Sequence, residues 1–149
     1  MFKNAEVARF IRKYLKLRGI EAKVSSNQKT GTVKVELYDV DPKTYRELET
    51  YMNHYRYVAH ASLPIDDALA ATLPKVEYLH ISREFTDSVC QRALNYIAAK
   101  TNTPVIDYAN IDFKATFKVY DDIHDTIGNI LHQVLRGTNC YTFHFWSEA

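Results

Sequence analysis

The sequence is poor in the residues that build linkers, crosslinks and phosphate-binding loops. Its 149 residues include only four glycines, four prolines and two cysteines. So few glycines and prolines argue against a long flexible linker, and no glycine-rich loop that cradles phosphate is present. Cys90 and Cys140 lack the short spacing of a zinc site and indicate no disulfide framework. A reducing cytoplasm is the setting that we expect.

Long apolar runs and known catalytic motifs are also missing. No run approaches the length that crosses a bilayer, and the first residues lack the apolar core of a secretory signal. The sequence contains no dinucleotide fingerprint, no HExxH zinc helix and no GxSxG nucleophile elbow. We therefore predict no membrane partner, no cofactor, no metal site and no catalytic residues, and we expect the protein not to be an enzyme.

The charges that are present are unevenly distributed. The formal net charge is +1, which gives no general attraction to nucleic acid or membrane. Before residue 35, however, nine basic residues face only two acidic ones, Glu6 and Glu21. Eleven tyrosines add side chains that suit core edges, their usual place, and also interaction surfaces.

The first forty residues predict a helix followed by a hairpin. Apolar residues recur at helical spacing over residues 4–18, with Asn4 as the N-cap and Gly19 as the stop. Alternating apolar and polar residues predict strands at 22–26 and 33–37, joined by a polar turn. One face of this hairpin is apolar, which is typical of a sheet covered on one side.

The rest of the chain predicts further helices and strands without a domain boundary. In order, these are a helix from Pro42 to near Tyr57, a loop over 58–75 with one helical turn around Asp66–Thr72, a strand at 76–81 with both faces covered, a helix over 85–100, a short strand at 116–119, a helix over 123–135 and a final strand at 141–146. The pattern predicts one α+β domain over residues 1–149, with a small antiparallel or mixed sheet flanked by about four helices.

The basic residues of the first helix form the first candidate site. Arg9, Arg12, Lys13 and Lys16 lie largely opposite the apolar stripe and make up its basic face. Such a face is usually only solvated. The alternative is a surface that meets phosphate or an acidic protein, helped by Lys23 and Lys34 on the adjoining hairpin.

Arg83 and Glu84 form the second candidate site, at the end of the predicted strand 76–81. Charged residues where a buried strand meets a helix are often exposed, and binding sites commonly form there. The more usual explanation is a local ion pair or an acid at a helix start.

The histidines and Cys90 are weaker candidates. His124 and His132 lie eight residues apart on the predicted fourth helix, about 12 Å along its axis, which is too far for one metal ion. Hydrogen-bonded structural roles are the favoured interpretation for all six histidines. Cys90 lies near a predicted helix start, where a dipole lowers a thiol pKa, but a small buried hydrophobe is its more frequent role.

Three segments together resemble a known family. They are ARFIRKYL at 8–15, the hairpin from Ser25 to Val35 that contains GTVKV, and VEYLHISRE at 76–84. This order resembles a small domain associated with large polyvalent proteins of phages and other mobile elements, over residues 5–88. The family has no established catalytic residues. The resemblance implies a protein that is carried by a phage or conjugative element and acts in a bacterial host, including against host defence.

These observations lead to two main hypotheses. The first is a non-enzymatic phage or mobile-element accessory protein that binds and inhibits a host defence complex, of the anti-CRISPR or anti-restriction type, through a charged surface. Its partner is a host protein or protein–nucleic acid complex, and its contact residues are Arg9, Arg12, Lys13, Lys16, Lys23, Lys34, Arg83 and Glu84. The alternative is a nucleic-acid-binding accessory protein that uses the basic helix and hairpin. An enzyme with a site around Arg83, Glu84 and a histidine is a third possibility.

Overall fold

The chain forms two compact units, each built around its own hydrophobic core. The computed structural model describes residues 2–57, 67–120, 123–138 and 143–148. The first unit is Met1–Glu84 and the second is Phe85–Ala149. The sequence shows no boundary here because only two residues, Phe85 and Thr86, separate the last strand of the first unit from the next helix. That residues 1–149 form one domain stays a prediction.

The first unit contains three helices and a three-stranded sheet among its described residues. Its elements are α1 (Asn4–Leu17), β1 (Ala22–Asn27), β2 (Thr32–Tyr38), α2 (Pro42–Met52), α3 (Asp67–Thr72) and β3 (Tyr78–Glu84). A 3₁₀ turn, Asn53–Tyr55, follows α2 directly. The sheet order is β1–β2–β3, with β1 antiparallel and β3 parallel to β2. The α+β class and the mixed sheet are therefore confirmed.

The helix α1 forms where its apolar periodicity predicts it. Val7, Ala8, Ile11 and Leu15 are buried on one stripe of the helix. Asn4, predicted as the N-cap, is instead the first helical residue and is itself buried, while the cap position belongs to Lys3. The Lys3 amide donates to the carbonyl of Lys75, 2.9 Å away, so a tertiary contact fixes the chain before the helix.

The sheet buries one face against helices α1 and α2. Residues that pair directly across strands point to the same face, so Val24, Val35 and Ile81 share one face with the rest of the core. The rings of Tyr14 on α1 and Tyr51 on α2 stack with centroids 3.8 Å apart. Both helices therefore cover the same side of the sheet, which we call the covered face.

Two predicted elements of this unit end at different residues. The strand predicted at 76–81 with both faces covered is Tyr78–Glu84, and Tyr78 is 50% exposed. Side chains alternate between the two faces of this strand, and Leu79 is buried on one face only. Helix α2 begins at Pro42, and its N-cap residue Asp41 accepts a hydrogen bond from the Thr44 amide. It ends at Met52, before the predicted end near Tyr57, because the backbone tightens into the 3₁₀ turn.

The predicted loop over 58–75 is only partly visible. Helix α3 confirms the predicted helical turn. Residues 58–66 lie outside the described part of the chain.

The second unit differs from prediction near residue 123. Its elements are α4 (Asp87–Thr101), β4 (Thr116–Tyr120), β5 (Ile123–Thr126), α5 (Ile127–Arg136) and α6 (Phe145–Glu148). The helix predicted over 123–135 starts only at Ile127, because the preceding four residues pair with β4 as an antiparallel strand. The strand predicted at 141–146 is wrong for Phe145 and Trp146, which are helical, and residues 139–142 lie outside the described ranges.

Candidate functional site

Three basic residues form the outermost line of α1. Arg9, Lys13 and Lys16 are exposed and lie opposite the buried stripe of the helix. None of them forms an ion pair with a carboxylate in the described part of the chain. We call these three residues the outer face. It is a row of positive charges that the described residues leave uncompensated.

Arg12 was predicted to be part of the same face, but its side chain points towards the sheet. Its Nη2 and Nε donate to the backbone carbonyl of Val24 at 3.0 and 3.3 Å. Val24 lies on β1, which is the first strand of the sheet. Arg12 therefore ties α1 to β1 and covers one carbonyl of that strand. No sequence pattern indicates this contact, because it depends on how the helix lies across the sheet.

Lys23 and Lys34 lie on the side of the sheet away from α1. Both are exposed and alternate with the residues of the covered face. Lys34 Nζ lies 3.1 Å from Glu36, and Lys23 pairs directly across from the same residue. The hydrogen bond from Lys34 lowers the pKa of the Glu36 carboxyl, and Lys23 adds to the effect. The structure therefore does not join these lysines to the outer face.

Arg83 and Glu84 are consecutive residues of β3 and point to opposite sides of the sheet. Arg83 Nη2 donates to the Val40 carbonyl at 2.8 Å, and its guanidinium lies over the ring of Tyr45, 4.8 Å from the centroid. Tyr45 in turn donates to Glu49 Oε2 at 2.7 Å, and burial raises the Tyr45 pKa to about 12. Arg83 is thus a packing residue between β3 and α2. Glu84 is exposed.

The histidines and Cys90 form no shared site in the described ranges. The prediction that His124 and His132 lie on one helix is wrong, because His124 lies in β5 and His132 in α5. His54 is buried, with Nδ1 3.0 Å from the Tyr51 carbonyl. Cys90 is a buried thiol, as predicted for a small hydrophobe. Among the described residues, no three His, Cys, Asp or Glu side chains are grouped to hold a metal ion.

A groove between α1 and β1 has no counterpart among the candidate sites predicted from the sequence. Its volume is about 480 Å³. Leu15, Ile20 and Val24 contribute apolar surface to it, and the charged residues Arg12, Lys16 and Glu21 line it as well. We call it the edge groove. The local signal for it is Gly19, whose φ of +69° turns the chain sharply from α1 towards β1.

No helix within the described ranges is long and apolar enough to cross a membrane.

No protein-family model, curated protein or solved structure matches the chain. The resemblance to a small domain of polyvalent phage proteins therefore stays a prediction.

Proposed function

We propose that this chain is a non-enzymatic accessory protein that binds a bacterial host defence complex and inhibits it, with the outer face of α1 as its contact surface. The observation that carries the proposal is the row formed by Arg9, Lys13 and Lys16, which make no ion pair with a carboxylate among the residues that the structure describes. The phage or mobile-element context comes from the resemblance, and the cytoplasm of the bacterial host is its setting.

Helix physics supports a binding role for this row. Arg9 and Lys13 are four residues apart, and Lys13 and Lys16 are three apart. Like charges at these spacings lie side by side and destabilise a helix by about 0.2–0.5 kcal/mol per pair. A surface that only needs solvation gains nothing from such repulsion, whereas an anionic partner relieves it. Complementary charge also speeds the encounter of two proteins.

A pull-down from bacterial host lysate tests this proposal. The variant reverses the outer face with Arg9→Glu, Lys13→Glu and Lys16→Glu. The matched control reverses three other exposed charges of the same unit, Lys29→Glu, Lys43→Glu and Arg46→Glu, and so has the same net charge. We expect the wild-type protein and the control to recover one stoichiometric partner that the outer-face variant loses.

Two results would count against the proposal. One is a wild-type protein that recovers no stoichiometric partner. The other is an outer-face variant that recovers the partner as well as the control does. Thermal melting of all three proteins shows whether any loss of binding comes from loss of fold.

The second candidate is a nucleic-acid-binding accessory protein, favoured by the same row of basic residues on α1. Phosphates neutralise a line of basic residues as well as carboxylates do. Since Lys23 and Lys34 lie on the far side of the sheet from α1, this candidate rests on the outer face rather than on helix and hairpin together. Three phosphate contacts give a slope of log K against log salt of about −2.7 on duplex DNA. Absence of binding to duplex and single-stranded probes at low salt removes this candidate.

A further inference from the structure

β1 is an edge strand, and no other strand in the described part of the chain pairs with its outer side, which we call the free edge of β1. This edge presents backbone groups at alternate residues. The Tyr38 amide donates to the Glu21 carbonyl at 3.0 Å, which makes that pair a hydrogen-bonded one. Hydrogen-bonded and non-hydrogen-bonded pairs alternate along an antiparallel ladder. Ala22, Val24 and Ser26 therefore point their N–H and C=O groups away from β2. The Val24 carbonyl, which Arg12 reaches, is one of these outward groups.

The edge groove runs beside these outward groups. Its apolar surface comes from Leu15, Ile20 and Val24, on the side of the sheet that α1 covers. A strand added to β1 lies about 4.8 Å from it and places every second side chain on that side. Such side chains enter the edge groove, where apolar ones meet apolar walls.

The charged residues of the edge groove favour an added strand that carries an acidic side chain. Arg12 and Lys16 supply two positive charges against the single negative charge of Glu21. Arg12 now donates to a neutral carbonyl, and a carboxylate is a stronger acceptor for a guanidinium than a neutral oxygen. When the Arg12 guanidinium donates instead to a carboxylate of the added strand, the Val24 carbonyl becomes available for a hydrogen bond to that strand.

We propose that the free edge of β1 and the edge groove bind an extended segment of a partner protein that carries an acidic side chain between apolar ones, two residues from each. The segment adds a fourth strand to the sheet, as in other cases of strand addition. This surface shares Lys16 with the outer face but includes neither Arg9 nor Lys13, and it goes beyond the proposed function.

Hydrogen exchange with synthetic peptides tests this surface without the host partner, so it can fail while the proposed function holds. The probe is a blocked heptapeptide, Thr-Val-Thr-Glu-Thr-Val-Thr, whose two valines and glutamate share one face. We expect it to slow exchange of the Ala22, Val24 and Ser26 amides at least about tenfold at saturation, since exchange requires the paired strand to open. The same peptide with lysine in place of glutamate binds at least about fivefold more weakly, because it repels Arg12 and Lys16.

Two pairs of variants separate strand addition from simple contact. Ser26→Pro removes an N–H that points away from β2. Because β1 is an edge strand, this change breaks no hydrogen bond between β1 and β2. Ser26→Ala keeps the N–H. We expect only the proline variant to lose binding. Arg12→Gln should bind the glutamate and lysine peptides more equally than the wild type does, and this comparison stands even if Ser26→Pro does not fold.

Three results would overturn the inference. Unchanged exchange at millimolar peptide means that Arg12 only shields the edge from pairing, a known role of charged residues on edge strands. Equal binding of the two peptides to the wild type rules out an acidic segment. Equal binding by Ser26→Pro and Ser26→Ala rules out strand addition.

Discussion

Replacing Lys13 with glutamate should make the protein more stable and less able to bind. Lys13 is exposed, and its two charged helical neighbours, Arg9 and Lys16, are also basic. The substitution turns two like-charge pairs into two attractive ones. Each pair changes by roughly 0.4–1 kcal/mol, so the free energy of unfolding should rise by about 1–2 kcal/mol at low salt. Lysine and glutamate have similar helix propensities, so little else changes.

Calorimetry at two salt concentrations measures this gain. For a protein of this size, about 1 kcal/mol raises Tm by roughly 2–4 °C. At 1 M salt the screening length falls to about 3 Å, and the gain should largely disappear. Lys29→Glu is the matched control, since it reverses an exposed charge in the β1–β2 turn, outside any helix. Its Tm should stay close to that of the wild type.

The second measurement on Lys13→Glu is its recovery of the partner from host lysate. Lys13→Glu should recover less partner from host lysate while it melts at a higher temperature than the wild type. A lower Tm, or a gain that is the same at both salt concentrations, refutes the argument from helix charge pairs. Undiminished partner recovery refutes the argument that the outer face binds.

Three further predictions concern residues away from the outer face. Arg83→Met should destabilise the protein by about 1.5–3 kcal/mol in urea unfolding, because it loses the hydrogen bond to the Val40 carbonyl. Glu84→Gln, at an exposed position, should change stability by less than about 0.5 kcal/mol. Equal effects of the two substitutions would contradict the packing role of Arg83. Gly128→Ala should cost about 1–3 kcal/mol, because the added Cβ meets the Phe113 carbonyl oxygen at 2.8 Å, and an unchanged Tm would contradict this. Burial raises the pKa of Tyr45 from 10.0 to about 12, so its contribution to stability is fully present below pH 10 and is lost as the pH rises to about 12. The urea midpoint should fall less between pH 8 and pH 11 in Tyr45→Phe than in the wild type, and equal falls would contradict the prediction.

Local patterns in the sequence were enough to predict α1 and the hairpin. The apolar stripe of α1 recurs every three or four residues, and Gly19 takes the left-handed conformation that ends a helix. The β1–β2 pairing follows from alternation on both sides of a short turn. These elements depend on neighbours along the chain, which a sequence shows directly.

Elements that depend on distant contacts were harder to predict. Ile123 shares helical spacing with Ile127 and Ile130, yet it belongs to a strand because β4 lies beside it. The parallel pairing of β2 with β3 depends on a long crossover through α2, which no local pattern specifies. Tertiary pairing overrides the local period at Ile123, and it alone determines the pairing of β2 with β3.

Only part of the candidate site could be predicted from the sequence, because the rest depends on contacts between distant residues. The outer face follows from the helical period, so the exposure of Arg9, Lys13 and Lys16 was predictable. The side of the sheet on which Lys23 and Lys34 lie depends on where α1 packs. Likewise, the contact between Arg12 and β1 exists only once the helix lies across the strand.

Photo-crosslinking in host lysate tests most directly whether the outer face is the contact surface. A benzoylphenylalanine at Leu17, which is 78% exposed and one turn beyond Lys13, leaves every basic residue of the face intact. The same group at Tyr78, which is 50% exposed, reports on the far side of the sheet. We expect one specific adduct from position 17, absent when Lys13→Glu is added, and none from position 78. An adduct from position 78 alone, or from neither position, would show that the outer face is not the contact surface.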